Sequence, residues 1–123
     1  MTKITVSPDC GNAPKREFIK QLSIAFAQRD VDFLVYSVTA EIAWNVVGDK
    51  VIEGNEKFDH ELKQIRSGEV AELVIERILT HGKEGAASGT MIMQNGKKYA
   101  FSDFYEFSGA KDVKVKSITS FNN

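Results

Sequence analysis

The amino-acid sequence predicts a single α+β domain in which helices come first and a curved antiparallel sheet follows. Between about residues 13 and 65 apolar side chains recur mainly at helical spacing. After Val70, long segments rich in β-branched and aromatic residues alternate with glycine-containing turns. A chain of 123 residues can bury one core. We therefore predict one domain over residues 13–123, preceded by a flexible arm over residues 1–12.

Two helices in series are predicted at the start of the domain. Asn12 and Pro14 mark the beginning of the first helix, because asparagine caps free amides and proline is tolerated in the first turn. Asp30 caps a second, shorter helix. The apolar stripe of the first helix, which runs to about residue 28, carries Phe18, Leu22, Ala25 and Phe26. The stripe of the second carries Val31, Leu34, Val35 and Val38.

A strand and a short third helix are predicted next. The residues of Glu41–Val47 alternate as in a strand that is covered on both faces, and Gly48 ends it. Asn55 caps the third helix, which Ser67-Gly68 terminates. The buried face of this helix carries Phe58, Leu62 and Ile65.

Four sequential strands then predict an antiparallel meander. They are expected at residues 70–81, 84–94, 97–107 and 113–121. Between the second and third, Asn95-Gly96 is the preferred dipeptide of a two-residue type I′ hairpin turn. Such a turn pairs Thr90 with Phe101 and Ser88 with Asp103.

This register assigns each side chain of the hairpin to one face of the sheet. One face then carries Ser88, Thr90, Ile92, Tyr99, Phe101, Asp103, Tyr105 and Phe107. The other carries Ala87, Gly89, Met91, Met93, Ala100, Ser102, Phe104 and Glu106. Because the second set is too apolar for simple solvent surface, we expect one face to meet the helices and the other a partner chain.

The position of Arg77 depends on the length of the turn around Gly82. A loop of two or four residues places Arg77 across from Ser88, on the face of Asp103. A loop of three residues places Glu76 on that face instead. The sequence leaves both alternatives open.

Composition argues against several classes of function. The net charge of −1 arises from 16 basic and 17 acidic residues that are interspersed, so no basic stripe indicates nucleic-acid binding. No apolar run approaches the roughly 18 residues of a membrane span, and no signal peptide is indicated, which predicts a cytoplasmic protein. Cys10 is the only cysteine, and His60 and His81 form no ligand motif, so neither a metal site nor a cofactor is predicted.

Four segments of the chain carry a resemblance to a known superfamily. They are AEIAWNVVG at residues 40–48, IEGNEKF at 52–58, DFYEF at 103–107 and KVKSITSF at 114–121. With the order of the elements, they resemble the nuclear transport factor 2-like superfamily, the cystatin-like cone fold of ketosteroid isomerases and SnoaL-like polyketide cyclases. The resemblance implies a curved sheet around an internal cavity, with a convex face used for homodimers. It does not imply an activity.

The ketosteroid isomerase mechanism itself fits this sequence poorly. Those enzymes combine a carboxylate base on the first strand with tyrosine and aspartic acid donors that stabilise an enolate. The base position falls on Asn45, whose amide cannot take a substrate proton, and the tyrosine position falls near Leu22. Only Asp103 matches, at the position of the oxyanion-stabilising acid. Whether the protein is an enzyme is therefore left open.

Asp103 is the candidate catalytic residue. Burial among aromatic side chains should raise the pKa of its carboxyl group, as acid/base work near neutral pH requires. The alternative is a structural carboxylate held by a hydroxyl group or by Arg77. Candidate ligand-binding residues are Asn45, Tyr105, Phe101, Thr90, Phe26, Phe58 and Trp44. Asn45 equally fits a hydrogen-bonded strand residue, and the regular spacing of the aromatic residues on the helices and first strand also fits a core.

Two functions are consistent with these patterns. The first is an internal cavity that binds a small apolar molecule, with acid/base chemistry of an isomerase, cyclase or hydrolase type. The second is a non-catalytic homodimeric interaction or stress-associated module, which the missing base and the face of Met91, Met93 and Phe104 favour. The sequence identifies neither the ligand nor the pathway.

Overall fold

Helices pack against one curved sheet in the computed structural model, which describes residues 2–7, 14–64, 70–109 and 114–122. The helices of this described part are α1 (Pro14–Gln28), α2 (Val31–Tyr36) and α3 (Asn55–Gln64). Its strands are β1 (Lys3–Val6), β2 (Val38–Val46), β3 (Lys50–Glu53), β4 (Val70–His81), β5 (Glu84–Met93), β6 (Lys98–Phe107) and β7 (Val115–Asn122). They form a sheet in the order β1-β4-β5-β6-β7-β2-β3. The predicted α+β class is confirmed.

The predicted meander is present as β4 to β7, each antiparallel to the next. The last strand, β7, then pairs in parallel with β2, so that Trp44 lies opposite Ile118. The core lies between the helices and one face of this sheet. Its fully buried members include Ile19, Leu22, Ile42, Phe58, Phe107 and Ile118.

Two short strands lie where no strand was predicted. β1 falls within the predicted flexible arm and pairs in parallel with β4. Thr2 Oγ1 donates to the Val70 carbonyl at 2.9 Å, and the Ser7 amide donates to the Ile75 carbonyl at 3.0 Å. β3 pairs with β2. Strands of four residues offer too few positions for a periodic signal, so the arm prediction is wrong for residues 3–6.

Some sequence predictions fall on residues that the structure does not describe. Asn12 as a helix cap, Ser67-Gly68 as a helix end and Cys10 lie outside the described residues. The Asp30 cap is observed, because its carboxylate accepts a hydrogen bond from the Phe33 amide at 3.2 Å.

The β5–β6 hairpin closes with a three-residue loop rather than the predicted two-residue loop. The Met93 amide donates to the Lys97 carbonyl at 2.8 Å, and the Gly96 amide donates to the Met93 carbonyl at 2.9 Å. Gly96 has φ +89°. This is a turn followed by a left-handed glycine, in which Asn95 Oδ1 accepts from the Lys97 amide at 3.0 Å. Asn-Gly suits both loop lengths, so the dipeptide alone does not determine the register.

The longer loop shifts β5 by one residue against β6. Phe101 pairs with Gly89, and Thr90 pairs with Ala100. The inner face, toward the helices, therefore carries Leu73, Ile75, Ala87, Gly89, Met91, Met93, Phe101, Asp103 and Tyr105. The outer face carries Val74, Arg77, Leu79, Ser88, Thr90, Ile92, Ala100, Ser102 and Phe104. The predicted faces of β5 are wrong, because a one-residue slip turns every side chain over.

Arg77 lies on the outer face and is exposed. It pairs with Ser88, as a two-residue turn predicts, and His81 indeed pairs with Glu84 across that turn. Ser88 itself faces outward after the hairpin shift. Arg77 is therefore on the opposite side of the sheet from Asp103 and does not hold its carboxylate.

A bulge bends β4 over β5 at Gly89. Ile75 pairs with Gly89 and Arg77 with Ser88, which leaves Glu76 as the extra residue. A Cβ atom at Gly89 would lie only 1.9 Å from the Val74 carbonyl oxygen. The strands approach this closely because residue 89 has no side chain.

Candidate functional site

A pocket of about 450 Å³ lies between the helices and the inner face. This volume falls within the range of small-molecule sites. Apolar side chains form most of its wall, among them Phe26, Leu34, Trp44, Leu62, Leu73 and Phe101. Its polar lining residues are Ser23, Arg29, Tyr99, Asp103, Ser120 and Asn122.

Asp103 is the only carboxylate among the described residues that line this pocket. It is half-buried on β6, where it pairs with Ser120 of β7. Burial raises the pKa of the Asp103 carboxyl from 3.8 to about 6, and a hydrogen bond with the Ser120 side chain opposes part of that rise. The site thus holds a carboxylate that can gain or lose a proton near neutral pH.

A chain of hydrogen bonds orients the Asp103 carboxylate. Trp44 Nε1 donates to Ser120 Oγ at 2.9 Å, within the core. Ser120 has a single hydroxyl proton, which it donates to Asp103. A carboxylate can accept several hydrogen bonds, so Asp103 retains acceptor capacity for a molecule in the pocket.

Tyr105 lies two residues further along the same face of β6. Its side chain is 2% exposed, and its hydroxyl makes no hydrogen bond of acceptable geometry to the described residues. Burial raises the pKa of Tyr105 well above its ordinary value, the nearby Asp103 charge adds to this rise, and the Ser23 hydroxyl opposes it. Tyr105 therefore keeps its proton at neutral pH. It is not among the residues that line the pocket.

The structure brings four of the predicted site residues together at the pocket: Asp103, Phe101, Trp44 and Phe26. Phe26 and Phe58 both pack against Trp44, with ring centroids 5.6 and 5.5 Å from that of Trp44. Phe58 is fully buried and does not line the pocket. It belongs to the core that supports Trp44.

Asn45 and Thr90 are not brought to the pocket, which corrects their predicted position. Asn45 is exposed, on the side of β2 opposite to the buried Trp44. Strand alternation makes this separation unavoidable once Trp44 faces inward. Thr90 faces outward because of the one-residue hairpin shift.

Several lining residues were not singled out from the sequence. Ser120 lies in an otherwise apolar stripe of β7, and Ser23 lies in one of α1. A buried serine in an apolar stripe needs a hydrogen-bond partner, so its position in the sequence could have indicated a polar site. Met91 and Met93 line the pocket, although the predicted two-residue turn places them on the opposite face of the sheet. Arg29 follows α1, and no motif in the sequence marks it.

The described residues contain neither a metal-binding cluster nor a membrane-spanning helix. In these parts of the chain, no group of three or more histidine, cysteine, aspartate or glutamate residues could hold a metal ion. Over the same ranges, no helix has the length and apolar character needed to cross a membrane.

No family model and no curated protein matches the sequence. Solved structures do resemble it. One is a putative ketosteroid isomerase from Kribbella flavida, with 15% identity, coverage of 89% of this chain and 77% of that chain, and a TM-score of 0.75. Another is an NTF2-like protein of unknown function from Burkholderia xenovorans, with 19% identity, 89% and 82% coverage and a TM-score of 0.73.

A third similar structure is an LEH-like epoxide hydrolase from M. tuberculosis. It is 16% identical, covers 87% of this chain and 80% of that chain, and gives a TM-score of 0.69. Identities this low show the fold and not the activity. The chain therefore has the nuclear transport factor 2-like fold that the sequence resemblance predicted.

Proposed function

We propose that the pocket binds a small apolar molecule and that Asp103 transfers protons to and from it. The observation that carries this proposal is a lone carboxylate at an apolar pocket, oriented by Ser120 and Trp44. With a pKa of about 6, Asp103 is mostly ionised at pH 7 and still basic enough to accept a proton.

One carboxylate suits an isomerisation better than a hydrolysis. Asp103 can take a proton from a carbon next to a carbonyl group, breaking the C–H bond and leaving an enolate, and can return that proton, or a solvent proton exchanged for it, to the same carbon or to another carbon of the enolate. Net charge and atoms are unchanged at the end of this cycle. Opening an epoxide with water calls for a base and an acid at once, and the described lining residues include a single carboxyl group. We therefore favour a neutral carbonyl compound as the substrate class.

Binding can be followed with the intrinsic fluorescence of Trp44. It is the only tryptophan of the chain, is 6% exposed and lines the pocket. Neutral medium-chain and cyclic ketones should change its emission saturably. Ala27→Leu should weaken this binding at least about tenfold, because Ala27 lines the pocket and a larger side chain there would fill it.

Ala100→Leu is the matched control, since Ala100 is exposed on the outer face and undergoes the same change in size. This variant should bind ketones as the wild type does. Ketones that bind should also incorporate deuterium from D₂O next to the carbonyl group. The proposal fails if no ketone gives a saturable change, or if bound ketones do not exchange.

An exposed aromatic pair on the outer face favours a second candidate function, a homodimeric interaction module. Phe104 and Phe121 are 52% and 44% exposed, and their ring centroids lie 5.9 Å apart in an edge-on arrangement. Leu79, 61% exposed, shares the face. Charges of both signs border it, from Arg77 and Glu106, so a second copy related by a two-fold axis can align unlike charges.

Phe104→Lys should convert a dimer to a monomer, because a two-fold contact would bury the introduced charge twice. Light scattering after size exclusion measures the mass. Val51→Lys is the control, since Val51 is 61% exposed but lies on the edge strand β3. A monomeric wild type, or a Phe104→Lys variant of unchanged mass, would exclude this interface.

A further inference from the structure

We infer that the side-chain amide of Asn122 donates a hydrogen bond to the carbonyl oxygen of the bound ketone while Asp103 removes a proton from the neighbouring carbon. This inference rests on the proposed proton transfer. It assigns the group that stabilises the enolate and places the reacting carbonyl near the mouth of the pocket.

The enolate is the charged intermediate of the proposed reaction. When Asp103 takes the proton, the electron pair of the broken C–H bond moves toward the carbonyl oxygen, in a pocket whose wall is mostly apolar. The negative charge that develops there is stabilised by a hydrogen-bond donor already in position. A hydrogen bond to a charged oxygen is stronger than one to a neutral carbonyl, so such a donor favours the enolate over the bound ketone.

The two serine residues of the pocket already use their protons. The Ser23 hydroxyl donates to the Ile19 carbonyl at 3.0 Å, and the Ser120 hydroxyl donates to Asp103. Each serine has a single hydroxyl proton. Neither can donate to a ligand without giving up its present hydrogen bond.

Three further polar residues line the pocket, and all are exposed at its mouth: Arg29, Tyr99 and Asn122. Arg29 already has an interaction of its own. The side chains of Tyr99 and Asn122 have no hydrogen-bond partner among the described residues. Tyr99 precedes Asp103 by four residues on β6, which is about 13 Å along a strand. Asn122 is therefore the candidate donor whose distance from Asp103 decides the question.

The register of β6 and β7 makes Asn122 a diagonal neighbour of Asp103. Asp103 pairs with Ser120, and Phe101, on the same inner face, pairs with Asn122. Diagonal neighbours of an antiparallel pair have Cβ atoms within about 8 Å of each other. This spacing suits a base about 3 Å from a carbon and a donor about 3 Å from the oxygen two bonds away. One carbonyl group can thus lie between the Asp103 carboxylate and the Asn122 amide.

The test measures the uptake of deuterium from D₂O by cyclohexanone, followed by NMR in the presence of the full chain. Asn122→Leu removes the amide at nearly constant size. It should lower kcat for exchange at least about tenfold and change the Kd from Trp44 fluorescence less than about threefold. The loss is smaller than the roughly 100-fold or more of a buried donor, because water at the mouth partly replaces the amide.

Asn45→Leu is the matched control. Asn45 is exposed on β2, on the side opposite to the buried Trp44, and does not line the pocket. The same substitution there should leave both the exchange and the Kd at their wild-type values.

Exchange at the wild-type rate in Asn122→Leu would overturn the inference and leave the proposed proton transfer standing. An equal loss of binding and exchange would also overturn it, because Asn122 would then contact ketone and enolate equally well. A wild-type chain that binds cyclohexanone without exchanging it would reject the proton transfer and the donor role together.

Discussion

Replacing Gly89 with alanine should destabilise the folded protein by at least about 3 kcal/mol. The added Cβ would lie 1.9 Å from the Val74 carbonyl oxygen and 3.1 Å from the Ile75 Cα atom. Both are backbone atoms, so no rotation of a side chain can relieve the overlap. Relief requires β4 and β5 to separate at the bulge, which disrupts their pairing and the wall of the pocket behind it.

Urea unfolding monitored by Trp44 fluorescence gives the free energy of unfolding of each variant. Gly82→Ala is the control, because nothing lies within 4 Å of a Cβ atom there and the cost is only that of a left-handed alanine at φ +58°. That cost is about 1 to 2 kcal/mol. A Gly89→Ala variant no less stable than Gly82→Ala would show that the strands are further apart than described.

Asp103→Asn should stabilise the protein above pH 6 and have no such effect below pH 4. The pKa of Asp103 is about 6 in the folded state against an ordinary value of 3.8, so the folded state binds this proton more tightly than the unfolded state does. Stability from this group is therefore complete below about pH 4 and is lost as the pH rises to 6. Asparagine carries no charge and still accepts the Ser120 hydrogen bond.

We expect a gain of about 1 to 3 kcal/mol at pH 7.5, which corresponds to several degrees in Tm. Thermal melts of both proteins between pH 3.5 and 8 measure the difference. The same substitution removes the proposed base, so deuterium exchange of a bound ketone should fall at least about 100-fold. Asp49→Asn, at an exposed turn, should change neither quantity. A pH-independent difference in Tm would mean that Asp103 is well solvated.

The fold was largely predictable because its long elements leave strong patterns. α1 has several helical turns, and each meander strand has several alternations of side chains. Because one face of each element is buried, its apolar residues recur with the helical or strand period. β1 and β3 carry four residues each, and pairing with a neighbour defines them more than their own sequence does. The predicted β5–β6 register was wrong because it assumed a two-residue loop. Asn95-Gly96 is also compatible with the three-residue loop that the structure has.

The candidate site was predictable in part. The sequence predicts Asp103, Phe101 and Trp44 as site residues. A carboxylate among aromatic residues is unusual on a strand, and the family resemblance marks the position of Asp103. The hydrogen bond from Trp44 to Ser120 joins residues 76 positions apart, and no local pattern announces such a contact. Arg29 could not be recognised, because the left-handed end of α1 is a property of the backbone and not of the sequence around it.

The parallel pairing of β2 with β7 has a consequence for how the protein acquires its pocket. Trp44 lies in the first half of the sequence and Ser120 near its end. The hydrogen bond between them, and the contact of Ser120 with Asp103, can therefore form only after β7 has joined the sheet. Contacts of such high sequence separation form slowly, because a long loop must close first. A nascent or truncated chain that ends before β7 would possess the aromatic wall without the seryl hydroxyl that orients Asp103. Ligand affinity should therefore appear late in folding, together with the closing strand.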